Sequence, residues 1–108
     1  MSVLKLSCED NGKLIELRQG DVILVSLQET PTTGYRWTVD NIDEKILELK
    51  NENFHIAPKA GIGGNGTRTF SFRAIAVGSV NLKLKLRREW LGDASIIERY
   101  SLTIKVLQ

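Results

Sequence analysis

The chain has 108 residues, of which 42% are hydrophobic and 26% are charged, and its formal net charge at pH 7 is +2. This length and composition fit one soluble domain with its own core, and they argue against a disordered or membrane-spanning chain. The 15 basic residues are scattered among 13 acidic ones, so charge alone does not indicate nucleic acid binding. We therefore predict a single domain over residues 1–108 that binds neither nucleic acid nor membrane and is a monomer when unbound.

The cysteine and histidine content excludes several kinds of site. Cys8 is the only cysteine, so the chain has no internal disulfide and no multi-cysteine metal site. With His55 as the only histidine, too few ligands remain for zinc or iron, and we expect no cofactor. No charged-then-apolar leader opens the sequence. We expect a cytoplasmic protein if the chain is complete as given, or a lysosome, phagosome-lumen or secreted protein if it is a processed form.

Turn-forming residues recur along the chain at short intervals, at 10–12, 19–21, 31–34, 61–66, 77–79 and 91–93. Between them lie short runs in which apolar residues alternate with other residues, which is typical of an all-β sandwich or barrel. The apolar positions that share a face are Ile23, Val25 and Leu27; Phe70, Phe72 and Ala74; Val80, Leu82, Leu84 and Leu86; and Leu102, Ile104 and Val106. Each run should bury one face against a second sheet.

Two further segments complete the predicted architecture. The basic residues Lys83, Lys85, Arg87 and Arg88 mostly alternate with leucines, and we expect them on the solvent-facing side of a strand. Residues 41–49 have partial helical spacing, and we expect a turn of helix there at most. Together the patterns predict an all-β fold, an immunoglobulin-like β-sandwich of about seven or eight strands.

The sequence lacks the groups that an enzyme would need. A catalytic nucleophile requires a base within hydrogen-bond reach, and the lone candidate is His55, in a strand-like run. Neither Cys8 nor any serine lies in a recognisable nucleophile setting. A structural role is favoured for His55, and we predict that the chain is not an enzyme, with a reaction centred on His55 as the remote alternative.

Residues 61–66 formally match GxGxxG, the fingerprint of a dinucleotide site. That motif opens a helix, whereas residues 67–74 alternate like a strand. A loop between two strands, with Asn65-Gly66 as a tight-turn pair, is the better interpretation. Asn65-Gly66-Thr67 is also a glycosylation sequon, which only a secretory route would expose to modification. If this loop has a binding role, we predict that Asn65 carries no glycan.

Three separated clusters of loop-type residues carry a family resemblance. They are Thr30-Pro31-Thr32-Thr33-Gly34-Tyr35, Gly61-Ile62-Gly63-Gly64 and Arg88-Glu89-Trp90. In order and spacing they resemble the pattern of the chagasin-type inhibitors of papain-like cysteine proteases, which runs Asn-Pro-Thr-Thr-Gly-aromatic, Gly-x-Gly-Gly and Arg-Pro-Trp. Each motif alone is weak, but their joint occurrence is specific.

The resemblance implies an immunoglobulin-like fold whose three loops enter the cleft of a cathepsin L-type protease as a wedge, giving reversible, competitive inhibition without covalent chemistry. Thr32 and Thr33 would approach the catalytic cysteine and histidine, while Pro31 and Gly34 fix the path of the loop. The glycine cluster would run along the substrate-binding side. The implied protease-binding residues are Thr30, Pro31, Thr32, Thr33, Gly34, Tyr35, Gly61, Ile62, Gly63, Gly64, Arg88, Glu89 and Trp90.

Two residues depart from the family pattern. Thr30 replaces asparagine and braces a turn more weakly, and Glu89 replaces proline, so a rigid residue gives way to a negative charge. Trp37 is expected in the core, and Trp90 is expected to be exposed when unbound, the alternative being that it caps the core. The competing interpretation of the whole chain is a non-inhibitory immunoglobulin-like binding or adhesion module that recognises a peptide or carbohydrate.

Overall fold

The computed structural model describes residues 2–30, 33–56 and 66–108. Eight strands lie in this part of the chain: β1 (Val3–Leu6), β2 (Leu14–Arg18), β3 (Val22–Glu29), β4 (Tyr35–Asn41), β5 (Leu47–Ile56), β6 (Gly66–Ala74), β7 (Gly78–Arg88) and β8 (Glu98–Leu107). Two 3-10 segments, Cys8–Asp10 and Glu89–Ser95, follow β1 and β7. No helix among the described residues is long and apolar enough to cross a membrane.

The strands form two four-stranded sheets. The order is β1-β3-β6-β5 in the first sheet and β2-β8-β7-β4 in the second. The pairs β1 with β3 and β2 with β8 are parallel, and the other pairs are antiparallel. The alternating strands bury their apolar faces in one shared core, and the predicted immunoglobulin-like β-sandwich is confirmed.

The core consists of the alternating apolar positions. Every position that the sequence pattern placed on the inner faces of β3, β6, β7 and β8 is buried. Trp37 joins them from β4 with 3% of its surface exposed, and its indole N–H donates to the Gln28 carbonyl over 2.9 Å. The buried polar end of the ring is thus satisfied, and the expected core position of Trp37 is confirmed.

The stretch with partial helical spacing forms a single turn before β5. The amides of Ile46 and Leu47 both donate to the Asp43 carbonyl at 3.0 Å. The Asp43 carboxylate accepts the Lys45 amide at 3.0 Å, as an N-terminal capping residue does. The expectation of at most one helical turn is confirmed.

The outer face of β7 differs from the prediction at Lys85, which is only 8% exposed. The segment Glu89–Ser95 folds back and places Asp93 2.9 Å from the Lys85 ammonium, and Asp40 lies 3.0 Å from the same group. Arg87 also contacts Asp93, at 2.7 Å. The prediction of a solvent-facing side is therefore wrong for Lys85, because carboxylates from β4 and from the segment after β7 cover its charge.

A buried ion pair closes the sandwich where β3 ends. Glu29 is 5% and Arg68 is 9% exposed, and Nε and Nη2 of Arg68 lie 2.9 and 2.8 Å from Glu29 carboxylate oxygens. The Trp37 amide donates to the same carboxylate over 2.7 Å. The hydrogen bonds that Arg68 donates to Glu29 hold the pKa of the Arg68 guanidinium above its usual value. Glu29 thereby joins β3 to β6 in its own sheet and to β4 in the other.

Removing one member of this pair should leave the other charge buried and unpaired. We predict that Arg68→Met lowers the free energy of unfolding by about 3–5 kcal/mol, measured by urea unfolding at neutral pH. Arg73 is exposed on the same strand, so Arg73→Met removes an equal charge and should cost less than about 0.5 kcal/mol. Equal losses in the two variants would contradict a structural role for the pair.

Candidate functional site

The strand register brings the ends of five strands to one end of the sandwich. Glu29, the last residue of β3, pairs with Gly66, the first residue of β6, and Gly66 also pairs with Ile56, the last residue of β5. In the other sheet, Tyr35 at the start of β4 pairs with Arg88 at the end of β7. The connection from β3 to β4, the adjoining ends of β5 and β6, and the segment after β7 therefore meet at one end, here called the loop end.

The connection from β3 to β4 turns at Thr33. The Thr33 amide and hydroxyl both donate to the Thr30 carbonyl, over 3.1 and 2.7 Å. The Thr33 hydroxyl oxygen also accepts the Tyr35 amide at 3.4 Å. Gly34 then has a φ of +80°, which is a left-handed conformation that residues with a β-carbon rarely adopt. Local hydrogen bonds and a glycine thus set the path of the chain from Thr33 to Tyr35.

Trp90 lies directly over Gly34. The side chain is 70% exposed, yet its Cζ2 and Cζ3 atoms come within 3.2 and 3.3 Å of the place that a β-carbon on Gly34 would take, and its Cη2 atom comes closer still. Only glycine leaves room for the indole at this distance. The third cluster therefore touches the first, and the exposure expected for Trp90 is confirmed.

Arg88 makes a second contact between the same two clusters. Its Nε–H donates to the Thr33 carbonyl over 3.1 Å, and its guanidinium carbon lies 4.5 Å from the centre of the Tyr35 ring. The Ser95 hydroxyl oxygen accepts the Arg88 amide at 3.0 Å and lies 2.7 Å from the Gly92 carbonyl, to which it donates. The segment after β7 is thereby fixed at both of its ends.

A row of charges links the buried ion pair to the third cluster. Arg68 lies 3.5 Å from Glu52 on β5, and Arg36 on β4 lies 3.9 Å from Glu52 and 3.6 Å from Glu89. Glu89 therefore has a partner on the neighbouring strand. Sequence reasoning missed Arg36, Glu52 and Arg68, because each lies in a strand with nothing local to mark it and its partners are distant in sequence.

A cavity of about 260 Å³ opens between these groups. Its walls are Glu29, Gly34, Tyr35, Arg36, Arg68, Glu89 and Trp90. Residues from both sheets and from the first and third clusters thus share one concave surface, with the buried ion pair at its wall. The loop end consequently presents an exposed aromatic ring beside a charged recess.

Part of the predicted site lies outside the described residues. The predicted site residues that fall outside are Pro31, Thr32, Gly61, Ile62, Gly63 and Gly64, and Asn65 lies outside as well. The remaining predicted positions, Thr30, Thr33, Gly34, Tyr35, Arg88, Glu89 and Trp90, all lie at the loop end. His55 is exposed on the edge strand β5, and in the described ranges no three His, Cys, Asp or Glu side chains are grouped so as to hold a metal ion.

Comparison with known proteins assigns the family. Residues 16–104 match the family model described as chagasin family peptidase inhibitor I42. The chain belongs to the chagasin family of peptidase inhibitors. This membership confirms the predicted family, and it confirms that the chain is an inhibitor and not an enzyme. Chagasin of Trypanosoma cruzi is 26% identical to this inhibitor over 106 residues, which are 94% of this chain and 96% of that protein.

Two solved structures share the fold. The crystal structure of the cysteine protease inhibitor EhICP2 from Entamoeba histolytica superposes with a TM-score of 0.90 at 18% identity, covering 99% of this chain and 97% of that one. PbICP-C, solved in complex with falcipain-2, gives a TM-score of 0.68 at 12% identity, covering 99% of this chain and 100% of that one. The described part of the inhibitor therefore has the same fold as these two structures.

The charges that hold the segment after β7 have shifted pKa values. The hydrogen bond from Lys85 holds the pKa of the Asp93 carboxyl below its ordinary value of 3.8. In return, hydrogen bonds to Asp93 and Asp40 raise the pKa of the Lys85 ammonium above 10.5. A carboxyl whose pKa is lowered by folding adds stability above its unfolded pKa and loses it as the pH falls through the folded value.

The Asp93 contribution should therefore disappear in acid. We predict that Asp93→Asn is less stable than the parent inhibitor at neutral pH, and that the difference shrinks as the pH falls below about 4. Urea midpoints measured between neutral pH and about pH 2 test this. A stability difference that stays constant over this range would show that the Asp93 charge does not hold the segment.

The contact between Gly34 and Trp90 gives a second prediction. Gly34→Ala should lose about 1–2 kcal/mol of stability from the left-handed backbone and should also displace the indole. Gly12 has a φ of +84° with open space around it, so Gly12→Ala is the matched control for backbone strain alone. NMR of the Trp90 indole N–H should show a shift only in Gly34→Ala. An unmoved indole in both variants would contradict the packing of Trp90 on Gly34.

Proposed function

We propose that this inhibitor binds the active-site cleft of papain-like cysteine proteases through its loop end and blocks them reversibly and competitively. The observation that carries the proposal is the joining of the first and third clusters into one exposed edge, where Trp90 lies on Gly34 and Arg88 binds the Thr33 carbonyl. The named relatives support the choice of target. EhICP2 is a cysteine protease inhibitor, and PbICP-C was solved in complex with falcipain-2.

The edge has the chemistry of a protease-binding surface. Tryptophan is among the residues that contribute most of the binding energy at many interfaces, and Trp90 is 70% exposed in the unbound inhibitor. The hydrogen bonds of Thr33 and the contacts of Arg88 order the edge before binding, which lowers the entropy that binding must offset. A typical complex of this kind covers about 800 Å² on each partner.

Within this proposal, each cluster has its own place in the cleft. The first cluster, with Thr32 and Thr33 foremost, would lie over the catalytic cysteine and histidine. The glycine cluster at 61–64, which follows the end of β5, would run along the substrate-binding side, and Trp90 would pack on the primed side. A substrate is cut when its scissile carbonyl faces the nucleophile. An ordered loop that occupies the site in another geometry inhibits without reacting.

Enzyme kinetics test this proposal directly. Papain is assayed with a fluorogenic peptide while the inhibitor is titrated in, and the substrate concentration is varied. We expect the apparent KM to rise with inhibitor concentration while kcat stays constant, and activity to return on dilution. Undiminished activity at micromolar inhibitor would contradict the proposal. A fall in kcat at unchanged KM would contradict binding in the substrate cleft.

Trp90 should be a principal contact residue. We predict that Trp90→Ala weakens inhibition of papain by about 30-fold, equivalent to about 2 kcal/mol, while the urea midpoint stays close to that of the parent. Val77 is a 52% exposed apolar residue between β6 and β7 at the opposite end, so Val77→Ala should inhibit like the parent. Equal inhibition constants for both variants and the parent would show that Trp90 does not contact the protease.

A further inference from the structure

The side chain of Arg88 is occupied within the inhibitor itself. Its Nε–H binds the Thr33 carbonyl at 3.1 Å, and its guanidinium lies 4.5 Å from the Tyr35 ring centre. The residue stands at the end of β7 and pairs with Tyr35 of β4. Both contacts therefore reach across to the connection that carries the first cluster, and they leave Arg88 bound to its own chain in the unbound inhibitor.

These contacts depend on the shape of the guanidinium. A planar, delocalised cation can stack on an aromatic ring while it directs an N–H along its own plane, whereas the ammonium of lysine is a point charge on a flexible stem. The carbonyl that Arg88 binds belongs to the peptide bond between Thr33 and Gly34. The other residue of this peptide, Gly34, packs against the Trp90 indole. Both residues that share the peptide bond are thus in contact with the third cluster.

Cleavage of this peptide would require its carbonyl to turn. In a cysteine protease the carbonyl carbon must face the thiolate, and its oxygen must point to the donors that stabilise the developing negative charge. In the unbound inhibitor the same oxygen already accepts a hydrogen bond from Arg88. Turning the carbonyl away from Arg88 would break that hydrogen bond.

From this geometry we propose that Arg88 is a positioning residue that protects the peptide bond between Thr33 and Gly34 from the protease that the inhibitor blocks. This inference rests on the proposed function, because protection matters only where a protease holds the loop. Arg88 would act through the loop and not through contact with the enzyme. Its loss would convert the inhibitor into a slowly cut substrate.

The reaction that Arg88 prevents is ordinary peptide hydrolysis. The protease thiolate would attack the Thr33 carbonyl carbon, the bond to the Gly34 nitrogen would break, and that nitrogen would take a proton from the catalytic histidine. Water would then split the thioester, releasing the Thr33 carboxylate and restoring the thiol. The net change is the uptake of one water by the inhibitor, which intact-mass spectrometry detects after denaturation as two fragments.

Three variants test the proposal: Arg88→Ala, Arg88→Lys and the control Arg73→Ala, which removes an exposed arginine at the far end of β6. Each is incubated with papain, and fragments and residual inhibition are followed over time. The parent and Arg73→Ala should stay intact. Arg88→Ala should be cut between Thr33 and Gly34 and lose inhibition as it is cut. Arg88→Lys should resemble Arg88→Ala, because a positive charge alone does not hold the carbonyl.

A measurement without protease separates this inference from the proposed function. In the free protein, NMR-detected hydrogen exchange at the Thr33 amide, which donates to the Thr30 carbonyl, should become about tenfold faster in Arg88→Ala. Unchanged exchange, an uncut Arg88→Ala variant, or cleavage at another bond would each overturn the role of Arg88 while leaving inhibition by the parent intact. A parent that fails to inhibit papain would instead overturn the proposed function, and the protection with it.

Discussion

The carboxylate of Glu29 is the interaction on which the loop end depends. It is buried, so its charge is tolerated only because Arg68 and the Trp37 amide satisfy it. Those two partners lie on different sheets, β6 in one and β4 in the other. One residue at the end of β3 therefore fixes both its own sheet and the point where the chain crosses to the second sheet. The first cluster begins at the next residue, and its position follows from this junction.

Between the buried Glu29 and the exposed third cluster lies a series of charged side chains. Arg68, Glu52, Arg36 and Glu89 alternate in sign toward the surface. Each exposed ion pair contributes little to the stability of the fold. The pair between Arg36 and Glu89 nevertheless holds Glu89 next to β4. In the family pattern a proline holds this position. A proline would restrict the backbone at this position. In this inhibitor the ion pair with Arg36 on β4 restrains Glu89 instead.

The sequence predicted the sandwich because strand alternation is a local property. Leu82 and Leu84, for example, are buried by the same period of two that identified β7. Lys85 follows that period and is nevertheless buried, because Asp93 reaches it from a segment whose fold-back has no signal in the strand pattern. The parallel pairing of β1 with β3 was likewise not predicted, since pairing between strands depends on the whole topology.

The candidate site was predicted only as far as its motifs extend. Gly34 and Trp90 belong to separate clusters in the sequence. No local sequence pattern indicates that the Trp90 indole packs on the Gly34 backbone. Arg88 was expected as a contact residue because of its residue type, whereas the structure shows its guanidinium bound to Thr33 and Tyr35. Residue type therefore suggested which positions matter, and the three-dimensional contacts suggest how each one acts.

Hydrogen exchange of the inhibitor with and without bound papain maps the contact surface residue by residue and shows whether the loop end meets the protease. We predict slower exchange in the complex at 33–36 and 88–91 and at the adjoining strand ends, 54–56 and 66–68. We predict no change at the opposite end, at 19–21 and 74–78. Protection confined to that opposite end, or absent from 33–36 and 88–91, would contradict the loop end as the surface that meets the protease.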